Sequence, residues 1–302
     1  MKPALFEYHA PRSVDEAVAL LAELGDDAKV LAGGQSLVPM LAMRLAVFPH
    51  LVDVGRIGEM SGVAVEAASV TVGATTVDAE IERRADLAAA VPLLSRVTPL
   101  IGHFQIRNRG TIGGSLAHAD PAAEYPAVAV ALDAEMTATS PRGTRSIPAG
   151  SFFTGLWSTA LDADEMLTGV RWPVWSGRCG YGVSEFARRH GDFALAGAVV
   201  AVELSGDDTV ARAAVALFGM GATPVRAHRL EEQVAGRPAG ECDASELGRL
   251  AVEGLEDVTS DLQGTADYRR KVAAAMVARA WRSATDEAAG IADGSERGAD
   301  SE

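Results

Sequence analysis

Cysteine is nearly missing from this chain: 302 residues include only Cys179 and Cys242. Two thiols fall short of the four thiolates of a [2Fe–2S] centre, and a lone pair gives no disulfide framework. Positive charge is scarce as well, with 27 Lys and Arg against 41 Asp and Glu and a formal net charge of −14. That balance argues against general nucleic-acid binding, which needs a basic face to displace counterions. It also disfavours an anionic membrane surface. No run approaches the roughly 18 apolar residues of a spanning helix, so membrane insertion is not expected. Met1–Glu7 lacks the apolar region of a signal peptide. The expected compartment is therefore the cytoplasm. Aromatic residues make up 5% against 48% hydrophobic, so the core is to be built mainly from Ala, Val and Leu.

The commoner phosphate fingerprints are missing too. The chain has no G-x-x-x-x-G-K-[ST], and neither of its two Gly-Gly loops reads G-x-G-x-x-G, which excludes a P-loop or Rossmann unit as the anion holder. No H-E-x-x-H occurs, the six histidines are scattered singly, and no Ser–His–Asp or Cys–His set stands out. No catalytic residue and no metal ligand is nominated.

What is present is a pair of loops of one construction. Leu31-Ala32-Gly33-Gly34-Gln35-Ser36-Leu37 and Thr111-Ile112-Gly113-Gly114-Ser115-Leu116 each lead from a β-prone run through Gly-Gly to a small hydroxyl residue and a helix-capable segment. Glycine lets a bound group approach the backbone closely, and consecutive free N–H groups suit a phosphate oxygen. One such loop reads as a plain turn. Two suggest a diphosphate gripped between them.

Around these loops the chain reads as mixed α+β. Ser13-Val14-Asp15-Glu16 is a capping box, and Ala17, Val18, Leu20, Leu21 and Leu24 continue at helical spacing to Gly25. Lys29–Ala32 and His50–Val54 read as strands, with a helix from Leu37 to Leu45 capped by Ser36. Strands are expected over Val63–Val65 and Ser69–Ala74, then helices after a Thr75 or Thr76 cap, over Pro92–Thr98 and over Pro121–Leu132. A hairpin turns at Pro141-Arg142-Gly143, and Met166–Trp172 is a strand. The Gly- and Ser-rich stretch Trp175–Gly182 reads as a domain boundary. Strand-like runs Phe193–Leu204 and Thr209–Phe218 then precede helices over Val225–Ala235, Ser245–Leu255 and Ala266–Ser283. Residues 286–302 hold six acidic residues and one Arg and read as a disordered tail. The expected units are 1–57, 58–176, 177–285 and the tail 286–302.

Ala32-Gly33-Gly34-Gln35-Ser36 resembles the A-G-G-[HQ]-S loop of the FAD-binding medium subunit of molybdenum hydroxylases, the group of carbon monoxide dehydrogenase and xanthine dehydrogenase. Thr111–Ser115, continuing through Asp120-Pro121-Ala122-Ala123-Glu124, is similar to that family's second flavin loop. Phe152-Phe153-Thr154-Gly155 and Arg189-His190-Gly191-Asp192-Phe193-Ala194 also match, and the resemblance runs from about Lys2 to about Trp281. It implies a vanillyl-alcohol-oxidase/PCMH-type FAD-binding fold in two α/β lobes, plus a C-terminal antiparallel sheet with helices.

For function, the resemblance implies an electron-transfer FAD subunit. A [2Fe–2S] small subunit and a molybdopterin large subunit would be its partners, in a three-subunit complex that is often doubled. Leu31, Ala32, Gly33, Gly34, Gln35, Ser36 and Leu37, with Thr111, Ile112, Gly113, Gly114 and Ser115, match the main FAD contacts. His118, Asp120 and Glu124 match positions near the ribityl, diphosphate or adenosine portion. Ile101, Gly102 and Leu167 match positions lining the flavin or adenine. Plainer readings stay open: a carbonyl-bonding His118, a turn at Asp120, a first-turn carboxylate at Glu124. Arg107 and Arg109 read as structural or solvated rather than as phosphate ligands. Gln35 stands where many relatives carry His, and Phe193 where some carry Tyr. The competing readings are a self-contained FAD oxidoreductase of the same fold and a non-enzymatic assembly protein.

Overall fold

The computed structural model describes residues 2–291, and three sheets succeed one another along them. The first is parallel, in the order β1 (Glu7–His9), β3 (His50–Asp53), β2 (Ala28–Leu31). Helix α1 (Val14–Leu24) starts where Ser13 accepts the Glu16 N–H at 3.2 Å, while the Glu16 carboxylate accepts from Arg12 N at 2.8 Å. It ends at Gly25, which takes φ 54°. Its buried stripe Ala17, Val18 and Leu21 lies against the sheet. Helix α2 (Leu37–Met43) follows the first Gly-Gly loop, but Ser36 makes no side-chain cap there. That corrects the capping expectation and leaves the Ser36 hydroxyl free.

The second sheet has the order β4 (Val63–Val65), β5 (Ser69–Gly73), β10 (Met166–Pro173), β6 (Glu135–Ser140), β7 (Gly143–Pro148), with antiparallel pairing throughout. Between β5 and β6 run α3 (Asp78–Arg83), α4 (Ala85–Ala90), α5 (Pro92–Val97), α6 (Phe104–Arg107), α7 (Ile112–His118) and α8 (Glu124–Ala131). Neither threonine caps α3. Thr76 bonds both backbone groups of Gly62 instead, and Val77 holds the cap position. Helix α8 is buried along nearly its whole length, Tyr125 to Ala131, because neighbouring helices, α5 and α7 among them, and the third sheet pack against it. After β7 come α9 (Ala149–Phe152) and the short pair β8 (Phe153–Gly155) and β9 (Ser158–Thr159).

The third sheet is an antiparallel meander, β11 (Arg178–Phe186), β12 (Ala196–Leu204), β13 (Val210–Phe218), β14 (Val225–Arg226). Helices α10 (His228–Val234), α11 (Ala244–Val252) and α12 (Ala266–Ala288) cover one face around Trp281, while the other face shares the core of the first two sheets. Two differences from the sequence reading stand out. The Gly- and Ser-rich stretch hides strand β11, whose apolar pattern is broken because Gly180 and Gly182 lie directly under α12. Helix α12 also runs past Ser283 to Ala288, since the Glu287 carboxylate accepts from Arg96 at 2.6 Å and from Tyr181 N at 2.8 Å. The rest of the expected tail, 292–302, lies outside the described residues.

Candidate functional site

The two Gly-Gly loops meet. A Cβ at Gly33 would collide with the carbonyl of Arg109, two residues before Thr111, and one at Gly114 would lie 3.7 Å from the Ala32 Cβ. Gly34 sits in the left-handed region at φ 73°, a conformation that costs other residues about 1–2 kcal/mol. Leu31 closes β2, Leu37 opens α2, and the residues between them turn the chain toward α7.

The loops do not carry equal shares of donors. In the second, Ile112 N donates to Thr76 O, Gly113 N to Ala74 O, Ser115 N to Thr111 O, and Gly114 N to the Thr111 hydroxyl at 3.1 Å. Thr111 is the N-cap of α7. The Gly113 and Gly114 N–H groups, expected as phosphate donors, are thus engaged by Ala74 O and the Thr111 hydroxyl, while that hydroxyl acts here as an acceptor and keeps its own O–H as a donor. Gly113 is glycine for another reason, since a Cβ would strike Ala74. In the first loop, by contrast, the N–H groups of Gly33, Gly34, Gln35 and Ser36 have no acceptor among the described residues, and Gln35 turns its amide onto Gly33 O at 3.1 Å. Four successive open N–H groups are the kind of uncharged donor set that suits an anion.

The other nominated residues fall in three places. His118 ends α7 with its ring parallel to Trp157, centroids 6.3 Å apart; burial lowers its pKa, with Lys29 adding to the shift and Asp120 opposing it. Asp120 accepts from Ala122 N at 2.9 Å, the turn of the plainer reading, and from Trp157 Nε1 at 3.4 Å. Leu167 is buried in β10 next to Thr168, whose carbonyl accepts from Ala74, so it underlies the second loop. Ile101 and Gly102 are engaged elsewhere: Arg107 bonds both of their carbonyls, at 3.2 and 3.3 Å, and Gly191 packs on Gly102. Arg107 also pairs with Glu82 at 2.9 Å, which makes it structural. A cavity of about 320 Å³ lies beyond, lined by Arg188, Arg189, Asp192 and Phe193.

Three carboxyl groups are desolvated, Asp78 beside Gly110, Glu124 at the start of α8 and Glu185 in β11. Burial pushes Glu124 up to about 8, helped by Glu185. Burial likewise lifts Glu185 and Asp78 to about 7. Asp78 Oδ1 and Glu185 Oε2 have no hydrogen-bond partner, and Asp78 N donates to Gly110 O at 2.9 Å. At neutral pH these three acids together carry less negative charge than exposed carboxylates would. Sequence reasoning missed Lys29, Trp157, Asp78 and Glu185. Lys29 shares a face of β2 with Leu31, and Glu185 a face of β11 with Tyr181 and Val183, so period 2 was the available signal.

The raised pKa of Glu124 has a sign that can be checked. The folded chain binds its proton more tightly than the unfolded chain, so stability falls as pH rises from about 4.5 to about 8. Glu124→Gln is expected to match wild type below pH 5 and to exceed it by on the order of 1–3 kcal/mol at pH 8 and above, a magnitude tempered by the partial exposure of this residue. Thermal unfolding of both proteins across that range is the measurement. A gap that stays constant with pH would remove the buried acid from the site's electrostatics.

Two Gly-Gly loops that meet between two lobes, with an antiparallel third domain against them, set this architecture apart from a Rossmann or P-loop unit. The profile of the FAD-binding domain in molybdopterin dehydrogenases matches residues 4–175, and that of the carbon monoxide dehydrogenase flavoprotein C-terminal domain matches 182–284. The chain is 39% identical over 284 residues to the carbon monoxide dehydrogenase medium chain of Hydrogenophaga pseudoflava, covering 94% of this chain and 98% of that one. It is 39% identical over 287 residues to the caffeine dehydrogenase subunit beta of Pseudomonas sp. (strain CBB1), covering 95% and 97%. Its fold superposes on carbon monoxide dehydrogenase from H. pseudoflava with a TM-score of 0.90, at 39% identity, covering 95% of this chain and 99% of that one. On quinoline 2-oxidoreductase from Pseudomonas putida 86 the TM-score is 0.88, at 35% identity, covering 96% and 99%. This chain belongs to the FAD-binding medium subunits of the molybdenum hydroxylases, oxidoreductases of several subunits. The PCMH-type α+β expectation is met with it, and FAD is this chain's cofactor.

Proposed function

We propose that this chain is the electron-transfer subunit of its complex. It takes electrons from [2Fe–2S] clusters of a small subunit, which receives them from a molybdopterin large subunit, and passes them to an external acceptor. FAD, when bound, supplies the redox chemistry, and the chain supplies position and electrostatics. The observation that carries the reading is the set of uncommitted N–H groups from Gly33 to Ser36 where the two loops meet. These donors and the Ser36 and Ser115 hydroxyls hold the diphosphate, with Lys29 as the nearby cation; Leu31, Leu37, Ile112 and Leu167 shape the walls. His118, Asp120 and Glu124 fix one end of the nucleotide. Ile101, Gly102 and the Arg189–Ala194 segment bound the other.

Cys179 and Cys242 are unpaired thiols, both pushed up by burial; they suit no iron–sulfur cluster, so the clusters ride on a partner. Among the described residues no helix is long and apolar enough to cross a membrane; the complex is proposed to be a cytoplasmic dimer of heterotrimers.

The test is rapid mixing of the assembled complex with its organic or inorganic donor while flavin absorbance is followed. Reduction is expected only with the iron–sulfur subunit present, and the flavin-loaded chain alone is expected to leave the donor untouched. Donor oxidation by the isolated chain at the rate of the complex would establish the self-contained oxidoreductase instead.

A further inference from the structure

On the first lobe, the side chains of Glu7, His9 and His50 converge at one edge of the sheet. Strand β1 lies parallel to β3 with Glu7 opposite His50 and His9 opposite Val52. Glu7 and His9, two residues apart, share one face of β1, while Tyr8 between them turns to the other face and donates to Asp53 at 2.5 Å. His9 Nε2 stands 3.1 Å from His50 Nδ1, and His50 Nδ1 stands 3.6 Å from Glu7 Oε2. All three ligand atoms lie within 4.8 Å of one another.

From these positions we propose that Glu7, His9 and His50 form a site for a divalent transition cation, with Zn²⁺ the best match. Zinc bonds of about 2.0–2.1 Å to imidazole in a tetrahedron set neighbouring ligand atoms roughly 3.3 Å apart. The observed 3.1 and 3.6 Å separations bracket that edge and the third pair lies within 4.8 Å; a cation would take the place of the proton shared by the two imidazoles. Two imidazoles and a carboxylate are the borderline donors that zinc prefers over Mg²⁺ or Ca²⁺. No Lys or Arg competes: among the described residues, Glu7 has His50 as its ion-pair partner and no other. The imidazoles are half-buried and Glu7 is exposed, so the fourth position opens to water, as in zinc sites with three protein ligands.

The consequence is structural. Strand β1 is a three-residue edge strand, preceded by Leu5, which is 98% exposed, and an edge this short holds weakly by pairing alone. A cation would staple it to β3, whose other neighbour β2 leads into the first Gly-Gly loop. The site does not depend on the flavin reading.

The experiment uses the full chain, free of any histidine tag and stripped with a chelator, titrated with Zn²⁺, Co²⁺ and Mg²⁺. One Zn²⁺ per chain is expected, with micromolar or tighter affinity, a raised thermal midpoint, the intense visible bands of four-coordinate Co²⁺, and no response to Mg²⁺. His9→Gln with His50→Gln is expected to weaken Zn²⁺ by more than the roughly 100-fold that loss of an outer-shell partner can cost. The same double variant should keep its circular dichroism and flavin content. Cys179→Ser with Cys242→Ser should bind as wild type does. Absence of saturable Zn²⁺ binding, binding that survives the double histidine variant, or binding lost with the two cysteines overturns the site.

Discussion

Gly33→Ala is expected to strip the flavin from a chain that remains folded. The added Cβ meets the carbonyl of Arg109 and lies 2.9 Å from Gly110 Cα, which are backbone atoms that no rotamer change can move aside. Arg109 and Gly110 are held in turn by bonds from their own N–H groups to Ile106 O, at 3.0 and 2.7 Å. The strain therefore resolves where the structure gives most easily, by parting the first loop from the second. The donors of Gly33–Ser36 then no longer face Ser115, and a diphosphate spanning the two loops loses part of its grip. FAD affinity is expected to fall at least about 100-fold, or roughly 2.7 kcal/mol. Flavin-to-protein ratio after gel filtration, together with fluorescence titration of the stripped chain, measures it.

Gly34→Ala is the informative comparison. Its Cβ would meet only side chains, Val38 Cγ2 at 3.0 Å and Leu31 Cδ1 at 3.2 Å, and its main penalty is the left-handed φ of 73°. It should lose affinity by less than Gly33→Ala. Full flavin occupancy in Gly33→Ala would mean that the contact between the loops is not what holds the cofactor.

The sequence announced the loops, the α1 capping box and the strand entering each turn, because each is written in neighbouring residues. It could not announce how the donors divide between the loops. That depends on Ala74 and Thr76, some forty residues before Gly113 in the chain, which accept the N–H groups that a local reading assigns to phosphate. Thr76 failed as a cap for the same reason, since its hydroxyl is claimed by Gly62 across a strand pair. The meeting of His9 with His50 depends on the parallel register of β1 with β3. Spacing along the chain has no signature of it. The plainer reading of Glu124 as a solvated first-turn acid stayed open beside the flavin one because nothing local shows that Glu185 and the third sheet lie against it. The Gly- and Ser-rich stretch also carries the start of β11, and the glycines that broke the apolar pattern there, Gly180 and Gly182, make room for α12.

That contact supports the second large effect. Alanine in place of strand glycine ordinarily stabilises by relieving the entropic penalty of glycine. Gly182→Ala is expected to do the reverse, destabilising the C-terminal domain by about 3 kcal/mol or more. Its Cβ would collide with the Ala280 carbonyl, and one at Gly180 with the Ala284 carbonyl, so successive turns of α12 rest directly on β11. The helix side chains there are Ala280, Ala284 and Ala288, all buried, and shortening them further cannot relieve a clash with their own backbone. Separating the layers would also draw Trp281 out of its packing and strain the Glu287 carboxylate away from Arg96 and Tyr181 N. Gly206→Ala, at a site with nothing within 4 Å of the added methyl, should stay within about 0.5 kcal/mol of wild type. Denaturant unfolding followed by tryptophan fluorescence distinguishes them. The damage should also reach the flavin site, because Gly182 is three residues from Glu185, the group coupled to Glu124 at the start of α8. Weakened FAD binding in Gly182→Ala, with Gly206→Ala unaffected, is the expected pattern. Unchanged stability in Gly182→Ala would mean that α12 can slide over the strand, and that the two glycines answer to something other than close approach.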